Sequence, residues 1–101
     1  MQTFEVQQGS YGWNMDFTCT DSSGTAFNLT GYTATLKVWK EGRTTMYLSG
    51  GCTTDVAASG TCHYSVLTTN FDEIYKFYAR IEATKASTVV KFEKFWIDVV
   101  E

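Results

Sequence analysis

The sequence predicts an all-β domain, a small sandwich or barrel, and three observations carry that prediction. Apolar and polar residues alternate strictly in several separate segments, which is the period of a strand with one buried face. Turn-forming residues interrupt those segments about every 8–12 residues. No segment sustains the 3.6-residue period of a helix.

The elements follow in order. "TFEV" is a first short strand. In "QGSYGWNMDF" the glycines Gly9 and Gly12 flank the joint to the next strand, where φ > 0 or close backbone packing suits glycine. Trp13, Met15, Phe17 and Cys19 then take every second position, with Asn14, Asp16, Thr18 and Thr20 between them. "DSSGT" ends that strand with turn residues. Tyr32, Ala34, Leu36 and Val38 alternate with Thr33, Thr35, Lys37 and Trp39, and "KEGR" turns the chain at Gly42. "TTMYLSG" is a short strand that "GCTTDV" continues or follows. "AASG" reads as a hairpin turn with Gly60 in the left-handed position. Cys62, Tyr64 and Val66 alternate again, and "TTNFDEI" is a loop with room for one helical turn. Phe77, Ala79, Ile81 and Ala83 alternate with Tyr78, Arg80, Glu82 and Thr84. "KAST" turns the chain into "VVKFE", and "FWIDVV" closes it with Phe95, Ile97 and Val99 on one side. The sequence contains no proline, so Gly, Asn, Asp, Ser and Thr make the turns. The shared period places Trp13, Phe17, Leu36, Val66, Phe77, Ile81 and Ile97 in one core, with Tyr32, Tyr64 and Phe95 also facing inward.

The 101 residues suffice for one domain spanning 1–101. A composition of 44% hydrophobic and 16% aromatic residues argues against disorder. The net charge of −3 argues against a nucleic-acid partner, which usually meets a basic face. No apolar run approaches the roughly 20 residues that span a bilayer, so no membrane association is expected. "MQTFEVQQGS" has neither a basic start nor an apolar stretch, so no secretory signal is expected.

Candidate chemistry is sparse. A phosphate-cradling loop needs GxGxxG or GxxxxGK[ST] between a strand and a helix, and the Gly9–Gly12 region has neither. Of the three cysteines, Cys19, Cys52 and Cys62, an odd count leaves one thiol unpaired. If Ala58, Ser59 and Gly60 form the hairpin loop, Ala57 faces Thr61, Val56 faces Cys62 and Cys52 faces Val66. Cys52 and Cys62 are then too far apart for a disulfide and are expected to be reduced, although a shifted register would join them. With no CxxC and no second histidine, no metal or other cofactor is expected. His63 is the only histidine and alternates outward, without a nucleophile and orienting partner beside it. Asp16, Asp72, Glu73, Glu82 and Asp98 fall on outward or loop positions without marking a catalytic pair. "NLT" at Asn28 matches a glycosylation sequon that, without a signal segment, reads as accidental. No catalytic residues are expected.

The aromatic residues are more informative. The alternation that points Leu36, Phe77 and Ile97 inward points Trp39, Tyr78 and Trp96 to the other side of their strands. Outward Trp and Tyr mark contact surfaces, because these side chains dominate binding hot spots. Trp39, Tyr78, Trp96 and Tyr47 are the candidate protein-contact residues. Trp39, Trp96 and Tyr47 serve equally as stacking platforms in a rival reading, a carbohydrate- or cell-surface-binding module.

The order of the segments also carries a resemblance. "VQQGSYGWNMDFTCTDSSGTAFNLTGYTATLKVWK", "GCTTDVAASGTCHYSV" and "YKFYARIEAT…VVKFEKFWIDVV" resemble the opening, the following hairpin and the last strands of the N-terminal domain family of phage baseplate upper proteins. The shared marks are a QG before an aromatic-led strand, "LTG" before an alternating strand, and a late F.I.V. The chain departs from the family in having "EIYKF" where a glycine usually precedes the tyrosine, and in lacking the longer proline-containing turn before the last strand. The resemblance implies an immunoglobulin-like antiparallel sandwich of about 7–8 strands, at the strand count such folds have. It also implies a non-enzymatic structural protein of the virion: a tail or baseplate assembly module, or a capsid decoration subunit. Its partners would be other virion proteins or copies of itself, and it would be oligomeric in the particle.

Overall fold

The computed structural model describes residues 3–42 and 44–101, so Met1, Gln2 and the Arg43 position of the predicted "KEGR" turn lie outside the described residues. Among the described residues there are nine strands, more than the 7–8 expected: β1 (Thr3–Gln7), β2 (Asn14–Thr18), β3 (Thr33–Lys40), β4 (Met46–Gly51), β5 (Thr53–Val56), β6 (Thr61–Ser65), β7 (Lys76–Lys85), β8 (Thr88–Lys91) and β9 (Phe95–Val100). No helix among the described residues is long and apolar enough to cross a membrane.

The strands make two sheets. The larger has six strands in the order β1-β9-β7-β3-β4, with β8 also paired to β7, and the smaller is β2-β6-β5. β1 runs parallel to β9, so the larger sheet is mixed where an antiparallel sandwich was expected; the other pairs are antiparallel. The first strand thus lies parallel to the last, the third and fourth extend the same sheet, and the second, sixth and fifth form the opposing one. The two sheets face each other as a β-sandwich. The pairing along β7 is divided. β9 pairs the first half of β7 and β8 the second half, with the register displaced by one residue between them.

The period-two faces meet in one core. Leu36, Phe77 and Ile97 are fully buried from the large sheet, and Met15, Cys62 and Tyr64 close over them from the small one. Phe17, Val66 and Ile81 are buried as expected. Trp13 and Tyr32 are only half-buried and pack against the core margin. β2 begins at Asn14, so Trp13 belongs to the incoming loop, where its indole N–H donates to Ser10 Oγ at 3.3 Å.

The turns decide where the faces sit. Gly9 and Gly12 both take φ > 0, at 80° and 84°. Gly60 is left-handed as predicted (φ 69°, ψ 20°) and caps a 3-10 turn over Ala57–Ser59. A Cβ at this position would lie 2.6 Å from the carbonyl oxygens of both Cys19 and Phe27, so only glycine fits.

That turn corrects the expected hairpin register. Val56, not Ala57, faces Thr61, and Thr54 faces Cys62, with a bulge between Thr54 and Val56. The 3-10 turn takes in Ala57 with Ala58 and Ser59, Gly60 caps it, and the bulge adds another displacement. The loop before β7 departs differently. It forms turns, with Thr69 at φ 73°, a left-handed residue that interrupts a right-handed helical turn. Phe71 from this loop is fully buried, and its carbonyl accepts from Gly9 N–H at 2.9 Å.

Candidate functional site

The outward positions of the large sheet come into register as one row. Met46 faces Trp39, Trp39 faces Tyr78, and Tyr78 faces Trp96, so four neighbouring strands each contribute one residue. Trp39 and Tyr78 stack with ring centroids 5.3 Å apart and planes 16° from parallel. Trp96 meets Tyr78 edge to face at 6.4 Å. Cross-strand aromatic pairs of this kind stabilise a sheet beyond the area they bury.

Cations cover this row. Lys76 Nζ sits 4.7 Å from the Trp96 ring centroid, Lys94 Nζ 5.1 Å from that of Tyr78, and the Arg80 guanidinium carbon 5.9 Å from that of Trp39. The three rings are therefore half-buried, partly by the alkyl stems of their neighbours. Arg80 Nε is buried without a hydrogen-bond partner. Beside it Lys37 pairs with Glu82 at 3.0 Å, and Glu82 is the one buried charged residue among those described.

Of the four residues singled out in the sequence, the structure brings Trp39, Tyr78 and Trp96 together and places Tyr47 elsewhere. The Tyr47 ring lies 4.5 Å from that of buried Phe77, and its hydroxyl donates to the Asn70 carbonyl at 2.7 Å. Burial, and then the negative charges of Glu73 and Asp72, push its pKa up. Tyr64 donates to Asn70 Oδ1 at 2.7 Å, and burial raises its pKa as well. Met46, which is 40% exposed, and the three cations that cap the rings belong to the same face without an alternation signal that marks them as contacts. Alternation places each residue on a face, but only the inter-strand register shows which residues share a row.

The small sheet presents a different outer face. Asp16 on β2 stands directly opposite His63 on β6, and Asp55 at the β5 bulge reaches His63 Nδ1 at 2.7 Å. Donor atoms of Asp16, Asp55 and His63 lie within 4.8 Å of one another, a donor set of the kind a divalent ion takes. The two aspartates are exposed on an open surface, and no other feature at this point marks an ion site.

The inner face of the same sheet gathers all the thiols. Cys19 and Cys52 both hydrogen-bond to Cys62, which holds the pKa of Cys62 down. The same bonds, together with burial, push Cys19 and Cys52 up. All three cysteines are free, but Cys52 lies within hydrogen-bonding reach of Cys62, which corrects the expected register that set the two several residues apart. The convergence depends on β2 and the β4–β5 link flanking β6, which sequence spacing does not reveal. A surface groove of about 280 Å³ opens between the end of β2 and the β8–β9 loop, with Thr18, Thr20, Glu93 and Lys94 as its polar lining.

Compared with known proteins, the chain matches no protein-family model and no curated protein.

Proposed function

We propose that the chain is a non-enzymatic structural protein of a bacteriophage virion, acting through protein–protein contacts made by the outer face of its large sheet. The observation that carries the contact role is the in-register row of Trp39, Tyr78 and Trp96. The virion setting is supported by the resemblance of the segments to the baseplate upper protein domain family. Within that setting the chain is a tail or baseplate assembly module or a capsid decoration subunit.

The arrangement of the rings favours assembly over sugar binding. A sugar stacks on an open aromatic face. Here Trp39 and Tyr78 turn faces toward each other, and Lys76, Lys94 and Arg80 lie over faces of all three rings. A broad row of edges and alkyl stems suits a flat protein partner. A fully buried aromatic covers about 150–250 Å², and because these three rings are already half-buried a partner covers only the remainder. At about 25 cal/mol per Å² the gain is an upper bound, because association costs offset much of it.

The test is replacement of Trp39 and Trp96 by Ser, singly and together. Each variant should remain folded by circular dichroism, because both side chains lie outside the core. Incorporation into particles, measured by quantitative blotting of purified virions, should fall at least about tenfold for the double variant, the factor expected when interface anchors are lost. Undiminished incorporation of the double variant would overturn the reading.

A further inference from the structure

The two outer faces differ in charge, and we propose that copies of this chain stack face to back: the Trp39–Tyr78–Trp96 face of one copy lies on the β2-β6-β5 face of the next. The inference rests on reading the aromatic row as a protein contact, and it names the partner as a second copy of the same chain.

The argument is one of charge placement. The chain holds 8 Lys and Arg against 11 Asp and Glu, so an even spread would leave every face acidic. Instead Lys76, Arg80 and Lys94 gather over one aromatic row. None of the three is in an ion pair among the described residues, and each lies over an aromatic ring. The acids on that face are Glu82, held by Lys37, together with Asp98 opposite Lys76 and Glu5 opposite Asp98. The small sheet is the reverse. Its strands read "NMDFT", "TTDV" and "TCHYS", with the carboxylates of Asp16 and Asp55 on the outer face and no Lys or Arg at all. The rest of that face is His63, which holds Asp55, the exposed apolar Val56 opposite Thr61, and the hydroxyls and amide of Asn14, Thr18, Thr53, Thr61 and Ser65, which supply acceptors for lysine and guanidinium donors.

Like faces cannot pair well. Two aromatic faces would bring the Lys76, Arg80 and Lys94 clusters of both copies together, and two small-sheet faces would oppose aspartates. The unlike pairing sets the unpaired cations Lys76, Arg80 and Lys94 against a face with carboxylates and no Lys or Arg, and complementarity of this kind fixes register and suppresses wrong partners. Such a contact is head-to-tail. It leaves a free face at each end and produces rings or filaments instead of closed two-fold dimers. From strand spacing and rise, a face of short strands offers on the order of a few hundred Å². That is below the roughly 800 Å² each partner gives to a standard interface. The single contact is therefore weak and gains strength by repetition in an array.

Sedimentation velocity on the purified chain tests this, from about 10 μM to 1 mM, the range in which weak contacts populate. Self-association should appear at the upper end and fall when salt is raised from about 0.05 to 0.5 M. Lys76→Glu with Lys94→Glu reverses one face at exposed positions, and Asp16→Lys with Asp55→Lys reverses the other. Arg80 stays unchanged because its guanidinium packs on Trp39. Each double variant, shown to be folded by its thermal melt, should associate with itself at least about tenfold more weakly than the parent. An equimolar mixture of the two should regain heterotypic pairing, because their reversed faces complement each other. A parent that stays monomeric throughout overturns the proposal, as does a mixture that fails to pair. In either case, loss of particle incorporation in the Trp39 and Trp96 variants shows that the contact reading stands with a different partner. Normal incorporation of those variants shows that the reading itself has failed.

Discussion

The outer faces of the two sheets are built over the same core from the same kind of strand, yet they are composed for different surroundings. The large sheet sets tryptophan and tyrosine side by side and roofs them with cations. The small sheet sets carboxylates and hydroxyl groups around one histidine. Folding alone asks little of either face, since each lies outside the core. The comparison teaches that the alternation governing the buried side of a strand leaves the outer side open to other demands. Here those demands have produced an amphipathic face and a polar one.

The largest effect should come from removing what both faces share. Phe77 is fully buried and in ring contact with Tyr47, Phe71 and Tyr75. Phe77→Ala should cost about 3–5 kcal/mol in urea unfolding, through lost burial and the cavity left behind. Both faces should be lost in a single transition. Gly60→Ala strikes the small sheet first. A left-handed non-glycine residue costs on the order of 1–3 kcal/mol. The Cβ must also displace the backbone of Cys19 or Phe27. Amide exchange should accelerate in β5 and β6 while β3 and β7 keep their protection. If all four strands accelerate equally, the small sheet is not a separable unit.

Lys37→Ala probes the large face. It strips the partner from Glu82, whose side chain is only 10% exposed, while Lys37 itself is 31% exposed. After allowance for solvent screening the cost should be about 1–2 kcal/mol. Lys40→Ala, at the more open Lys40–Glu73 pair, should change stability by less than about 0.5 kcal/mol.

The smallest effect is a pH dependence at Asp21, in the turn after β2. Its Oδ1 accepts from Ser23 Oγ and from the amides of Ser23 and Thr25, and these bonds hold its pKa below the ordinary carboxylate value. A lowered folded pKa contributes stability at pH values above the unfolded pKa, and that contribution disappears as pH falls through the folded one. An NMR titration should show Asp21 protonating below the ordinary carboxylate value, and Asp21→Asn should remove this part of the acid sensitivity. Protonation of Asp21 at that ordinary value would show that the turn exerts no hold on it.

Much of the fold was legible because alternation is a local signal. Leu36, Phe77, Ile81 and Ile97 each announce their side through immediate neighbours. Phe71 did not, because it enters the core from a loop of polar residues where no period exists to be read. Trp13 misled in the opposite way, continuing the period of β2 into residues that are no longer strand. The candidate face was legible as membership and not as arrangement. Trp39, Tyr78 and Trp96 could be put on one side, but their row needed the registers of β3, β7 and β9. The meeting of Asp16 with His63, and of Cys19 and Cys52 with Cys62, belongs to the same class of long-range information. Tyr47 shows the cost of reading an aromatic in a short, irregular strand, where a one-residue slip exchanges the two faces.

The parallel pairing of β1 with β9 has a consequence for the order of events during synthesis. Thr3 lies beside Trp96 and Gln7 beside Val100, so β1 waits for the much later β9. Until then β1 is an unpaired strand with the apolar Phe4 and Val6 in water, open to the wrong edge. Pairings so distant in sequence close slowly, typically in milliseconds to seconds for all-β domains. A ribosome adding roughly 5–20 residues per second therefore exposes β1 for several seconds before its partner exists. Chains stalled short of Phe95 should accumulate with β1 sensitive to protease, and protection should arrive together with the final strand.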